Sequence, residues 1–260
     1  MTAIAPSRPS ALSAELVFAG RSLRHAWRDP ETLLMAVLLP VLLMLMFTWV
    51  FGGAIDPSGG YADYVVPGAV LLCAGFGASS TAVAVARDMQ NGIIDRFRTM
   101  PIRAGAVLTG HVLSSLVRNL LATAVVVGVA LLVGFRPETT PGEALGAAAL
   151  VALWILAITY LFASIGLAAG SAEAANGYGF IVLFLPYLSS AFVPTSTMPD
   201  WLQPVAETMP ITPVVETLRG LLLGTDPGTA PAIALAWCAG ILAFAIAWGA
   251  WLFRRKAGRR

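Results

Sequence analysis

The chain has 260 residues, of which 58% are hydrophobic and only 12% are charged, and its formal net charge is +2. A soluble domain would carry about twice that fraction of charged residues. The apolar residues also stand in long runs. The composition therefore excludes an ordinary soluble enzyme and predicts a protein whose helices cross a membrane several times.

The first 32 residues are predicted to form a cytoplasmic tail that includes one amphipathic helix. Residues 11–28 mix apolar side chains with Arg21, Arg24 and Arg28, a pattern typical of an interfacial helix on an anionic membrane surface. Asp29-Pro30 ends this segment, because proline interrupts helical hydrogen bonding. The first long apolar run follows directly.

Six apolar runs are predicted to be membrane-spanning helices, which makes the chain an all-α polytopic membrane protein with one domain over residues 33–253. The fifth run is short and contains Pro186. The six runs are residues 33–51, 64–86, 107–133, 147–169, 178–193 and 231–253.

Basic residues predict the orientation of these spans. Thirteen of the sixteen Lys and Arg residues lie in the N-terminal tail, in the loop after the second span or in the basic tail, residues 254–260. Because cytoplasmic loops are enriched in Lys and Arg, these three segments are predicted to be cytoplasmic. Both termini then lie on the cytoplasmic side of the plasma membrane, which agrees with an even number of spans.

The loop between the second and third spans, residues 87–103, concentrates charge in the middle of the apolar chain. Met89, Ile93, Phe97 and Met100 recur at helical spacing, and Pro101 would end that helix. A short amphipathic helix can lie in the headgroup region or dock on a soluble partner, and the residues alone leave both alternatives open. The remaining candidate residues of this loop are Arg87, Asp88, Gly92, Asp95 and Arg96.

The third span contains the one charged residue that falls inside a predicted span. Arg118, with Asn119 beside it, could line a substrate path or a dimer interface. Alternatively, the arginine side chain could extend to lipid headgroups at the nearer membrane surface.

The segment between the fifth and sixth spans, residues 194–228, is interrupted by several prolines and is too apolar for a solvated loop. A short helix is predicted near Trp201, and a second helix is predicted to open with Thr212 as its N-cap and Pro213 at its first position. The two would form a re-entrant hairpin packed against the spans. The residues assigned to this hairpin are Trp201, Pro210, Glu216 and Arg219.

Motifs for catalysis are missing from the sequence. There is no GxxxxGK[ST] phosphate-binding loop, no GxSxG and no HExxH, and the only histidines are His25 and His111. We therefore predict no catalytic residue, no metal site and no cofactor bound by this chain, and we expect no nucleic-acid partner. The predicted spans also place no carboxylate deep in the bilayer, which argues against cation-coupled transport.

Several short motifs together resemble the ABC-2 type permeases of ABC exporters, in particular the daunorubicin-resistance type. The resemblance covers nearly the whole chain. It rests on Arg28-Asp29-Pro30, Leu39-Pro40, the loop ending Asp95-Arg96-Phe97-Arg98-Thr99-Met100-Pro101-Ile102, and the late segments Met198-Pro199-Asp200-Trp201-Leu202, Pro210-Ile211-Thr212-Pro213 and Leu218-Arg219-Gly220.

The resemblance implies a membrane subunit that pairs with a second permease copy, identical or homologous, and binds a separate cytoplasmic ATPase that carries ATP and Mg. It further implies that residues 92–101 are the coupling helix, that residues 11–28 are the connecting helix and that the hairpin is external. The expected function is ATP-driven export of a drug or lipid-like amphiphile. The alternatives are an ATP-independent secondary transporter or channel, and a membrane-bound enzyme or scaffold for lipid assembly.

Overall fold

The computed structural model describes residues 30–57, 59–92 and 104–257, and all the regular secondary structure in these ranges is helical. The predicted interfacial helix, residues 11–28, lies outside the described residues. The α-helices are α1 (Pro30–Leu45), α2 (Gly52–Ile55), α3 (Tyr61–Gln90), α4 (Ala104–Val133), α5 (Pro141–Ala168), α6 (Ala172–Leu183), α7 (Gln203–Thr208), α8 (Ile211–Leu223) and α9 (Ala230–Ala257). A π-helical segment, Met46–Phe51, joins α1 to α2, and short 3₁₀ turns cover Leu185–Leu188 and Thr195–Thr197.

Within the described residues, five helical stretches are long and apolar enough to cross a membrane, which confirms a multi-pass helical protein. They lie at the first, second, third, fourth and sixth predicted spans, and most extend a few residues beyond the predicted limits. The stretches are Ala36–Ile55, Tyr61–Gln90, Leu108–Val133, Pro141–Ala168 and Ala230–Arg255.

The fifth predicted span, residues 178–193, has a different structure. Helix α6 begins at Ala172, earlier than predicted, and ends after 12 residues at Leu183. At about 1.5 Å per residue it is roughly 18 Å long, which is short of the ~30 Å hydrocarbon core. Pro186 has no N–H and disfavours helical backbone at Leu185, so the chain continues as a 3₁₀ turn. The six-span count therefore stays a prediction.

Helix α3 is the centre of the described fold. It packs against α1, α4, α5, α6 and α8, and 78% of its most apolar stretch is buried, compared with 28% for α4 and 22% for α9. Small residues make this packing close. A Cβ atom added to Gly166 of α5 would lie 2.3 Å from the Ala82 carbonyl oxygen of α3, and one added to Gly68 would lie 2.5 Å from the Ala191 carbonyl oxygen.

The bundle has two ends that matter for function. We call the end where α3 finishes at Gln90 and α4 starts at Ala104 the loop end, because residues 93–103 connect the helices there. We call the opposite end, which holds α7 and α8, the hairpin end. Most of the buried side chains form one core, and a second, smaller cluster lies at the loop end.

The hairpin end contains two helices joined by Met209 and Pro210, in agreement with the prediction of two consecutive helices in this segment. The predicted cap at Thr212 is wrong, because α8 already begins at Ile211 with Pro210 as its N-cap residue. The Thr212 hydroxyl donates instead to the Ala206 carbonyl of α7. That bond ties the two short helices together. Whether the pair re-enters the membrane stays a prediction.

Candidate functional site

The loop end carries the first residues of the predicted coupling loop. Arg87, Asp88 and Met89 belong to the last turns of α3, and the helix ends where Gly92 adopts a left-handed conformation with φ +64°. Glycine suits that conformation because it has no Cβ atom. The other candidate residues of the loop lie outside the described residues: Ile93, Asp95, Arg96, Phe97, Met100 and Pro101.

One hydrogen-bonded pair joins the two helices on either side of this loop. The His111 Nε2 atom of α4 lies 2.9 Å from the Asp88 Oδ2 atom of α3. Both side chains are half-buried. The sequence analysis named both residues but did not pair them.

A set of polar side chains lies between α3 and α4 midway along the bundle. The Arg118 guanidinium donates to the Ser80 hydroxyl at 2.7 Å, and that hydroxyl donates to the Gly77 carbonyl oxygen. Next to them the Thr81 hydroxyl donates to the Ser115 hydroxyl at 2.7 Å. Arg118 is thus bound to a neighbouring helix inside the protein.

Asn119 fills the space that the missing side chain of Gly77 leaves on α3. The Asn119 side chain is fully buried, and its Oδ1 atom lies 1.3 Å from the position that a Cβ atom on Gly77 would take. Neither the oxygen nor the nitrogen of the Asn119 amide has a hydrogen-bond partner among the residues that the structure describes. A buried amide without partners is destabilising, so packing against Gly77 alone does not explain why the residue at this position is an asparagine.

At the hairpin end, Arg219 of α8 binds three backbone carbonyls of two other segments. Its guanidinium donates to the carbonyl oxygens of Tyr64 at 3.1 Å, Ser190 at 2.6 Å and Ala191 at 3.3 Å. The same group lies over the Tyr64 ring, 3.6 Å from its centroid. A planar guanidinium has five N–H donors and can also stack on an aromatic face, so arginine suits this position.

Two tyrosines of α3 hold the same non-helical segment from the other side. The Tyr64 hydroxyl donates to the Ser190 carbonyl oxygen at 2.8 Å, and the Tyr61 hydroxyl donates to the Phe192 carbonyl oxygen. The Ser190 N–H donates to the Thr212 hydroxyl of α8. The chain after α6 is therefore fixed to α3 and α8 through its backbone groups.

Glu216 and Trp201 occupy the remaining predicted positions of the hairpin. Partial burial raises the pKa of the Glu216 carboxyl above its usual value, and the nearby Arg219 lowers it. Trp201, just before α7, is 75% exposed. An exposed tryptophan next to apolar helices is typical of the membrane–water interface.

Comparison with known proteins identifies the family. The family model described as ABC-2 type transporter matches residues 15–223. The daunorubicin resistance ABC transporter permease protein DrrB1 of Streptomyces coeruleorubidus is 32% identical over 222 residues, which cover 85% of this chain and 78% of that protein. The chain belongs to the ABC-2 type transporter family. It is a multi-pass membrane permease, as the motif resemblance predicted.

Two further relatives of this ABC-2 permease are more distant. The probable doxorubicin resistance ABC transporter permease protein DrrC of Mycobacterium tuberculosis is 26% identical over 92% of this chain and 90% of its own length. The putative transport permease ycf38 of Porphyra purpurea is 24% identical over 78% of this chain and 71% of its own length. The names of DrrB1 and DrrC describe permease proteins of ABC transporters, in which ATP hydrolysis belongs to a partner subunit.

The sequence analysis of the permease missed the residues that bind Arg118 and Arg219. Ser80 and Tyr64 lie on α3, far in sequence from Arg118 and Arg219. An arginine inside an apolar stretch was the available signal, because such a group needs partners within the protein. Helical periodicity could not identify those partners, since it does not fix which faces of two helices meet.

Proposed function

We propose that this permease is the membrane subunit of an ATP-driven exporter that moves a hydrophobic or amphiphilic molecule out of the cell. Its ATPase would be a separate cytoplasmic protein, and the working unit would contain a second permease copy. The observation that carries the proposal is the charged loop, residues 87–103, placed between α3 and α4. Because α3 contacts more of the bundle than its neighbours do, a displacement of this loop would reach most of the spans.

The orientation supports the same assignment. In this proposal both termini and the loop end face the cytoplasm, since they carry most of the basic residues, and the hairpin end faces outward. The loop end would then be accessible to a cytoplasmic ATPase. The basic tail, residues 254–260, would contact anionic lipid headgroups.

The two polar sites have different proposed roles. Arg118 and Asn119, midway along α4, would lie on the translocation path or at the contact with the second permease copy. The hairpin residues Trp201, Pro210, Glu216 and Arg219 would close the outer end of the path, because Arg219 fixes the non-helical segment after α6. The relatives named for daunorubicin and doxorubicin resistance support an amphiphilic drug-like cargo.

Co-purification with the partner ATPase tests this proposal. The permease is expressed with a candidate ATPase encoded beside it, extracted in mild detergent and compared with an Arg96→Glu, Phe97→Asp double variant. The wild type should retain the ATPase and the variant should lose it, since the variant reverses one charge and removes the apolar contact of the loop. An Arg136→Glu variant at the hairpin end is the matched control and should retain the ATPase. An ATPase that binds neither permease would overturn the proposal in favour of an ATP-independent transporter or channel.

A further inference from the structure

Asp88 belongs to residues 87–103, but its hydrogen bond to His111 has no role in the function described so far. Asp88 lies in the last turns of α3 and His111 lies near the start of α4, so the pair spans the base of the loop that connects these helices. The Nε2 and Oδ2 atoms are 2.9 Å apart, and each side chain is 27% exposed. Among the described residues, this pair is the closest polar contact between α3 and α4 at the loop end.

The pair lies beside a hydrophobic cluster that is separate from the main core. Val85 of α3 and Val112 of α4 are buried there against Ala163 and Leu167 of α5 and Leu252 of α9. Met89 and Leu108 pack against this cluster from the two helices that carry the loop. The loop end therefore has its own small core, which contains side chains from four helices.

Apolar packing of this kind resists separation of the helices but fixes their relative rotation and sliding only weakly, because the hydrophobic effect is non-directional. A hydrogen bond to a carboxylate is directional and stronger than one between neutral groups. In the Asp88–His111 pair that bond connects the two arms of the loop directly. A force on residues 93–103 would then move α3 and α4 together instead of bending one helix end away from the other.

We propose that Asp88 and His111 are positioning residues that make α3 and α4 respond to the ATPase as one body. The inference rests on the proposed function, because it assumes that an ATPase acts on residues 87–103. In this arrangement the pair contributes to transmission of the movement and little to binding of the ATPase. Loss of the pair therefore separates ATPase binding, which is kept, from transmission of the movement, which is weakened.

The test measures binding and stimulation separately, without any transported molecule. Wild type, Asp88→Ala and His111→Ala are each reconstituted in liposomes with the partner ATPase. The affinity for the ATPase, the rate of ATP hydrolysis relative to the ATPase alone, and the melting temperature of the permease are measured. Ser114→Ala is the matched control, because among the described residues the Ser114 hydroxyl bonds within its own helix, to the Gly110 carbonyl at 2.8 Å. Asp88→Asn and the exchanged pair Asp88→His, His111→Asp test rescue.

His111→Ala leaves residues 87–103 intact and is expected to bind the ATPase as the wild type does, while stimulation of ATP hydrolysis falls by roughly threefold to tenfold in both alanine variants. The alanine double variant should be no worse than either single variant, because both remove the same contact. At least one of the rescue variants should recover stimulation, and Ser114→Ala should keep it.

The inference would be overturned by unchanged stimulation in both alanine variants, by a loss of ATPase binding in His111→Ala in parallel with stimulation, or by a loss of stimulation that neither rescue variant recovers. A fall in melting temperature that matches the loss of stimulation in every variant would show a structural role only, and would also overturn it. A wild-type permease that does not bind the ATPase would instead contradict the proposed function, so the two failures are distinguishable.

Discussion

Arg219 shows how a single side chain can stabilise irregular backbone in an apolar protein. The segment after α6 leaves the helical pattern, so its carbonyl oxygens lose their partners within a helix. Arg219 donates to two of them, at Ser190 and Ala191, and to the Tyr64 carbonyl near the start of α3. Non-helical backbone is stable among membrane helices when protein groups supply the missing hydrogen bonds.

We predict that Arg219→Met destabilises the folded protein by about 1–3 kcal/mol, because the carbonyls of Tyr64, Ser190 and Ala191 lose the hydrogen bonds that the guanidinium donates. The stability of Arg219→Lys should lie between that of Arg219→Met and that of the wild type, because an ammonium cannot match the planar guanidinium or stack equally well on the Tyr64 ring. Unfolding in detergent, followed by tryptophan fluorescence, measures the effect. Arg136→Met is the control. That side chain is exposed, so water can replace its bonds. Equal stability of Arg219→Met and wild type would show that these contacts contribute nothing.

Glu216 gives a prediction about pH. Because burial raises the pKa of this carboxyl in the folded protein, its ionised form opposes folding at neutral pH. That unfavourable contribution disappears as the pH falls through the raised pKa towards the ordinary value of 4.5. Glu216→Gln should therefore melt at a higher temperature than wild type at pH 7, and the difference should narrow towards pH 5.

Melting curves of both proteins at the two pH values measure this difference. The neighbouring Arg219 favours the ionised carboxylate, so its attraction acts in the opposite direction. A Glu216→Gln variant that is less stable than wild type at pH 7 would show that the attraction to Arg219 outweighs the effect of burial.

The packing of α5 on α3 depends on a glycine at the point of closest approach. Gly166 and Gly170 are spaced as in a GxxxG pair, but only Gly166 makes a close contact. A Cβ atom on Gly166 would lie 2.3 Å from the Ala82 carbonyl oxygen, whereas a Cβ atom on Gly170 has nothing within 4 Å. The obstacle is backbone, so no side chain can move aside.

Gly166→Ala is expected to destabilise the protein by about 1–3 kcal/mol, since α5 must shift away from α3. Gly170→Ala should be close to neutral and serves as the matched control. Thermal unfolding of both variants in the same detergent gives the comparison. Equal melting temperatures would mean that the contact between α3 and α5 adapts without loss.

The helices were predictable from apolar runs, but their ends were less so. Helix α5 begins at Pro141, because Thr140 caps it and Glu143 completes a capping box with proline at the first helical position. This signal stands in the sequence and was overlooked, so the fourth span was predicted to begin at residue 147. At Thr212 the local pattern was misleading, since its hydroxyl bonds to α7 instead of capping α8.

The side chains that bind each other across two helices could not be predicted from the sequence. The bond between Arg118 and Ser80 requires a particular rotation of α3 and α4, and the chain between those helices does not specify it. The same holds for Asp88 and His111. Such pairs become predictable only when the packing of the whole bundle is known.

The whole molecule leaves much of its apolar surface uncovered. Helix α3 is mostly buried by the chain's own helices, whereas the described residues bury only 28% of the most apolar stretch of α4, 22% of that of α9 and 17% of that of the first span. In a membrane this surface meets lipid or another chain. Membership of the ABC-2 family implies a dimeric assembly with a partner ATPase, so part of the exposed surface is expected to face a second permease.

ATP-dependent transport in a defined system tests the central claim most directly. Liposomes that contain the partner ATPase with or without the permease receive a transmembrane pH gradient, external ATP or neither, and uptake of a panel of fluorescent amphiphiles without a titratable amine is followed by fluorescence. We expect permease-dependent uptake of at least one of these amphiphiles when ATP is supplied outside, on the side of the ATPase, and no permease-dependent uptake with the pH gradient alone. An ATPase variant that binds ATP without hydrolysing it should show no uptake. Uptake driven by the gradient in the absence of ATP, or unaffected by that variant, would contradict the account and favour a secondary transporter.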